Sequence, residues 1–386
     1  MRSRPGCAAA QPALVDLDDD QGRGWEPLVD EFGRCARRRR ACLGVGAALA
    51  LALLGVGEAR RRARLLLRYE RACGPAVAAP VTTRRALMRR GDIGGLSNFF
   101  LNRTAPAAAY RSADVVYVAL PKTASQSVVA LLGPNSRRRV KLDRDVFVEG
   151  LETDRSVYAR RSPWFAPAEN GPALAYGDLS LGACGGASRG CAYFAIFRDP
   201  VDRVVSAFIY CQARPDAICD AAFATLEGPS LADWTRAWGN DAVEQLAVVP
   251  ARAFCAAPAR DRARPAFVAR DVQRWANARF GRPTRDDLAL VRARVLPRLA
   301  VVGLTHRLAE TCRLLEATFG WRFPRPPPMI NAAPADARKA ALASEVRAGL
   351  LHDVALDAAL YRDVEAIFER QLAVLTKSAA AKGAAE

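Results

Sequence analysis

The stretch Val115-Val116-Tyr117-Val118-Ala119-Leu120-Pro121-Lys122-Thr123-Ala124-Ser125-Gln126-Ser127-Val128-Val129-Ala130-Leu131-Leu132 decides how this chain is read. Residues 115–120 are apolar, rich in β-branched side chains and free of charge, which predicts a strand covered on both faces. Pro121 ends that strand. Residues 128–132 supply the apolar face of a helix whose first turn carries Thr123, Ser125 and Ser127. A strand that feeds a helix through small hydroxyl residues and one lysine makes an anion site. Backbone N–H groups and the positive helix end point at the ligand, and Lys122 adds a full charge. The loop is not a Walker A sequence, because no glycine occurs between Val115 and Leu132. Lysine is scarce, with five among 57 basic residues, so its place at this turn is not compositional drift.

Further along, Cys191-Ala192-Tyr193-Phe194-Ala195-Ile196-Phe197 reads as a second buried strand, and Ala173-Leu174-Ala175-Tyr176 as a short one before Gly177-Asp178. The second strand runs into Arg198-Asp199-Pro200-Val201-Asp202-Arg203-Val204-Val205-Ser206-Ala207-Phe208. Pro200 suits a first helical position, where its missing N–H costs nothing. Val201, Val204, Val205 and Phe208 then form one helical face. Arg198 stands at the strand's carboxyl end and Ser206 about two turns into the helix. A guanidinium fork and a hydroxyl so placed clamp a phosphate.

Pro121-Lys122-Thr123-Ala124-Ser125-Gln126-Ser127 resembles the 5′-phosphosulfate loop of sulfotransferases, in the form found in the membrane-bound carbohydrate group. The stretch from Arg198 to Ser206 resembles their 3′-phosphate motif, Arg-Asp-Pro-x-x-Arg-x-x-Ser. The two stand in the right order, about 75 residues apart, each at a strand–helix junction. The segment 238–246 is similar to the family's Asn-containing helix, and 300–308 to its late strand. Asn331 with the proline-rich 324–328 resembles the loop that closes over the nucleotide. Asp357-Ala358-Ala359-Leu360-Tyr361 with Phe368 resembles the final helix. The resemblance covers about 260 residues and is to Golgi carbohydrate sulfotransferases of the heparan 2-O- and uronyl 2-O type.

That resemblance implies an α/β fold with a P-loop-like central parallel sheet flanked by helices, preceded by one N-terminal transmembrane helix. It implies 3′-phosphoadenosine 5′-phosphosulfate as sulfuryl donor, a carbohydrate acceptor and no metal. Lys122, Thr123, Ala124, Ser125, Gln126 and Ser127 would hold the donor's 5′ end, and Arg198 with Ser206 its 3′-phosphate. Lys122 would also be catalytic, stabilising charge on the departing oxygen. Where the family has a Gly-His pair whose histidine is the base, this chain has Gly177-Asp178. Asp178 is the expected base; the plain reading is a turn aspartate, and Glu149, Glu152 and His306 are alternatives. The missing histidine also motivates a nucleotide- or glycan-binding relative that no longer transfers sulfate. A P-loop kinase would use Thr123 on magnesium but needs an acidic strand end, which is not evident.

With 386 residues, the chain has room for one large domain plus appendages. Its net charge is +17, which suits acidic glycans, anionic membranes or nucleic acid. Nucleic acid ranks lower, because zinc-finger, RNA-binding and homeodomain patterns are absent, and arginine bias along the whole chain is a second source of the charge. Ten cysteines without a Cys-x-x-Cys, and only two histidines, argue against structural zinc. The short spacings Cys184/Cys191 and Cys211/Cys219 suit disulfides in an oxidising compartment. Residues 1–40 read as a cytosolic disordered tail and 41–59 as a signal anchor around the uncharged run 41–57. Residues 60–110 read as a stem carrying the sequon Asn102-Arg103-Thr104, 111–376 as the lumenal catalytic domain, and 377–386 as a disordered tail. The expected setting is the Golgi membrane, single-pass type II.

Overall fold

A computed structural model describes residues 85, 88, 93–135, 138–141, 173–177, 180–186, 190–213, 230–249, 279–325 and 344–383. All lie in the compact unit Arg62–Glu386. Its frame is a sheet of β1 (Asp114–Val118), β2 (Arg138–Lys141), β3 (Ala173–Gly177), β4 (Cys191–Phe197) and β5 (Leu299–Leu304). The strands run β2-β3-β1-β4-β5 across the sheet, and every neighbouring pair is parallel. Val116 pairs with Ala175 on one side and Tyr193 on the other. Parallel strands need long crossovers, which bury both faces of the sheet. That is why β4, β5 and β1 after its first residue, Asp114, read as apolar runs, and every residue of the three is buried.

The helices among the described residues are α1 (Ala107–Arg111), α2 (Ser125–Leu132), α3 (Pro200–Ala213), α4 (Leu231–Trp238), α5 (Asp241–Leu246), α6 (Arg285–Arg294), α7 (Leu308–Phe319), α8 (Ser344–Asp353) and α9 (Ala355–Gly383). Tyr117 and Phe194 stack at 4.7 Å between ring centres in the main core. Close approach of α7 to β5 requires Gly303, where a Cβ would stand 2.3 Å from Thr311 Cγ2. The apolar face of α3 packs in a second cluster, where Val201, Val204 and Val205 meet Trp234 on α4 and Leu350 on α8. The face expected from the sequence is therefore present, with Phe208 edge-on to Trp234.

Several boundaries differ from the sequence reading. The basic stretch 137–141, read as a solvated face or an acceptor contact, contains β2. Among the described residues β2 is an edge strand, which tolerates the charges of Arg138 to Lys141 better than a central one would. The folded domain begins earlier than residue 111. Ile93, Ser97, Asn98 and Tyr110, assigned to the stem, are buried. Asn98 alone donates to Leu299 O and Gln371 Oε1 and accepts from the N–H groups of Phe100 and Leu101. At the other end α9 continues to Gly383 through the expected tail, because its alanine-rich end is strongly helix-forming.

Cys184 and Cys191 are disulfide-bonded, as their spacing suggested. Cys211 is also disulfide-bonded, while Cys219 lies outside the described residues. Among the described residues no helix is long and apolar enough to cross a membrane. The expected anchor at 41–59 and the 1–40 tail lie outside them.

Candidate nucleotide site

The strand order sets the site. From β1 the chain continues to β2 on one side, and from β4 to β5 on the other. Open parallel sheets bind ligands outside the carboxyl ends of the strands where such a reversal falls. Here those ends belong to the adjacent strands β1 and β4, which carry the two motifs. Arg198 Nη1 donates to Lys122 O at 3.2 Å, so the two loops touch.

The first loop is bent by two non-glycine residues with positive φ, Lys122 at 62° and Ala124 at 64°. Left-handed backbone on such residues costs about 1–3 kcal/mol each and collects at functional sites. Alternating handedness turns successive N–H groups inward, the geometry of an anion-binding nest. Helix α2 begins directly afterwards at Ser125, later than the sequence reading placed it. Its first N–H groups have no carbonyl one turn back within the helix. Thr123 lies before the helix, buried, with its hydroxyl donating to Leu120 O at 2.8 Å. That hydroxyl fixes the loop. Ser127 is buried, Ser125 half-buried and Gln126 exposed.

Lys122 Nζ stands 3.9 Å from the centre of the Tyr210 ring on α3. Ser206 is four residues before Tyr210 and shares its helix face. The Lys122–Tyr210 contact thus turns the Ser206 face of α3 toward the first loop. Residues 122–127 follow the carboxyl end of β1 and Arg198 that of the neighbouring β4, while Ser206 lies further along α3.

Three side chains that the sequence reading did not assign hold this geometry. Thr305, directly after β5, has its hydroxyl 3.2 Å from Thr123 O and 3.1 Å from Phe197 O, tying the first loop to the end of β4. Gln245 Nε2 donates to Ala119 O at 3.1 Å. Ser180 Oγ donates to Tyr117 O at 3.1 Å and Gly177 O at 2.7 Å. Beside the two loops lies a small recess whose walls include Leu120, Thr123, Arg198, Arg203, Asp357 and Tyr361.

Arg203, the second arginine of the stretch 198–206, lines the same recess as Arg198 but is committed to buried partners. It is buried and bridges Asp241 at 3.0 Å and Asp357 at 2.9 Å, and it donates to Gly239 O. Asp357 also accepts the Ala242 and Val243 N–H groups at the start of α5. Burial pushes the Asp357 carboxyl up to about 6, opposed first by Arg203 and then by those N–H groups. Asn240 completes the clamp, donating to Asp353 O and accepting from Leu356 and Asp357 N–H. The result locks α3, α5 and α9 together behind Arg198.

Asp178, Glu149, Glu152 and Asn331 lie outside the described residues. Gly177, the last residue of β3, has φ 146°, a conformation that glycine accepts readily. His306 is exposed on the turn after β5, with Nδ1 3.3 Å from the Tyr361 hydroxyl. It lies beyond β4, on the opposite side of β1 from β3. Among the described residues no group of three or more His, Cys, Asp or Glu could hold a metal ion. The free cysteine among them, Cys312, is buried and its thiol is pushed up to about 11, unsuited to nucleophilic work. No family model matches the chain, and no curated protein matches it.

Proposed function

We propose that the chain transfers a sulfuryl group from 3′-phosphoadenosine 5′-phosphosulfate to a hydroxyl of a carbohydrate. The observation that carries this reading is the direct contact between the Arg198 guanidinium and the Lys122 carbonyl at the reversal of strand order. Two anion-binding turns so close together suit one nucleotide with a charged group at each end. The strained first loop and the two cationic side chains fit the donor's chemistry. Lys122 and the N–H groups of residues 123–127 would hold the 5′ end, and Arg198 with Ser206 the 3′-phosphate.

When bound, the donor supplies a sulfur atom open to in-line attack and a phosphate oxygen that takes the electron pair of the broken S–O bond. Lys122 holds a fixed positive charge where that negative charge grows, and the loop N–H groups are already oriented, so neither must reorganise. The acceptor's proton passes to a base. Asp178 fills that role in this reading, because it follows Gly177 at the carboxyl end of β3, directly beside β1. His306, beyond β4, is on the wrong side of Lys122 for an acceptor entering past β3. Asp178→Asn is expected to lower turnover about a hundredfold or more, the usual worth of a positioned base, with donor affinity retained. Unchanged turnover, measured as radiolabelled sulfate transfer, would remove Asp178 from the mechanism.

The +17 net charge favours an already acidic polysaccharide as acceptor. The Cys184–Cys191 disulfide fits an oxidising lumen, and a Golgi protein anchored by residues 41–59 as single-pass type II is part of the same proposal. Donor-dependent sulfation of defined polysaccharides, followed by linkage analysis, tests the reading. Sulfate ester on a sugar hydroxyl is expected. Nucleotide binding without transfer to any polysaccharide would favour the non-catalytic relative.

A further inference from the structure

The 3′-phosphate motif carries two carboxylates beside its arginine. Asp199 adjoins Arg198 and caps α3, its Oδ1 accepting the Asp202 N–H at 2.9 Å. Asp202 lies in the first turn of the same helix. Left alone, these two charges would cancel the positive helix end and oppose an anion at Arg198. They are not left alone. Arg347, on α8, places Nη2 2.8 Å from Asp199 Oδ1 and Nη1 2.8 Å from Asp202 Oδ1. One guanidinium thus spans both carboxylates, 145 residues away in sequence from Asp202.

We propose that Arg347 is a positioning residue for nucleotide binding: it neutralises Asp199 and Asp202 so that the potential at Arg198 stays positive for a 3′-phosphate. This rests on the donor site proposed above. The loop side chains Lys122, Arg198, Asp199 and Asp202 sum to zero in formal charge, and Arg347 shifts the potential at Arg198 by one positive charge whatever the buried Arg203–Asp241–Asp357 cluster adds. A half-exposed ion pair contributes little to holding helices together, so a purely structural role predicts small effects that are the same for every nucleotide. The electrostatic role predicts an effect confined to ligands with a 3′-phosphate.

The test is calorimetric titration of the full chain with adenosine 3′,5′-bisphosphate and with adenosine 5′-phosphate. Arg347→Gln is expected to weaken the bisphosphate about tenfold at low salt, as two uncompensated carboxylates near a dianion require, with little change for the monophosphate. Arg347→Lys should retain most of the affinity. Adding Asp202→Asn to Arg347→Gln should recover much of the loss, and Asp202→Asn alone should tighten the bisphosphate several-fold. Equal weakening of both nucleotides, no weakening, or no recovery with Asp202→Asn would overturn the inference. Should Arg347→Gln fail to fold, failure of Asp202→Asn alone to tighten the bisphosphate would overturn it as well. A wild-type chain that shows no preference for the bisphosphate would overturn the donor site itself, a result seen before any substitution is made.

Discussion

Replacing Lys122 with alanine is expected to slow the proposed sulfuryl transfer by about a hundred- to a thousandfold, the range seen when one preorganised donor is removed from a developing charge. The expectation comes from placement. Lys122 lies in the turn between β1 and α2, and its left-handed backbone is fixed from several directions. Arg198 donates to its carbonyl, and the hydroxyls of Thr123 and Thr305 hold the adjacent residue. The loop is thereby rigid, whereas the lysine side chain rests over Tyr210 and is long enough to move. Because the loop N–H groups remain, nucleotide affinity should fall far less than turnover. Initial rates at saturating donor, compared with donor titrations, separate the two. A large loss of affinity with unchanged turnover would make Lys122 a binding residue only.

The second large effect concerns stability. Arg203→Met should destabilise the domain by about 3–5 kcal/mol, because it strands two carboxylates in the interior. Asp241 and Asp357 are both buried, and Asp357 keeps only its two backbone N–H partners when the guanidinium is gone. The loss should appear as a lower urea midpoint. Asp357→Ala should cost a similar amount, since it frees the α5 N–H groups and leaves Arg203 with one carboxylate. The double substitution should cost less than the sum, because the two act as one unit. Full additivity would mean that the clamp is not cooperative. A midpoint close to wild type in Arg203→Met would mean that water reaches the site.

Much of the architecture could be read from residues alone, for a physical reason. Strands buried on both faces leave continuous apolar runs, so β1, β4 and β5 stand out in the sequence. Strand β2 does not, because Arg138, Arg139 and Lys141 are allowed only by its edge position. The two strand–helix turns were also readable, since they are local: Lys122 and the small hydroxyls follow one strand directly, and Arg198 follows another. What holds them was not. Thr305 reaches Thr123 across 182 residues, Gln245 reaches Ala119 across 126 and Arg347 reaches Asp202 across 145. No spacing rule announces a contact made only by folding. Arg203 misleads in the opposite direction, sitting inside a phosphate motif yet serving a buried clamp. Its partners Asp241 and Asp357 lie 38 and 154 residues away, so the clamp appears only once α5 and α9 are in view.

The most direct trial is the affinity ratio of adenosine 3′,5′-bisphosphate to adenosine 5′-phosphate, measured by calorimetry on the wild-type chain and on Arg198→Ala. If the turns after β1 and β4 grip the two ends of a single nucleotide, the wild-type chain prefers the bisphosphate by about tenfold or more, as a charge-assisted guanidinium–phosphate pair supplies. Arg198→Ala should then bring that ratio close to one while leaving the monophosphate affinity nearly unchanged. A ratio unaltered by Arg198→Ala, or a wild-type chain that binds neither nucleotide, would contradict it.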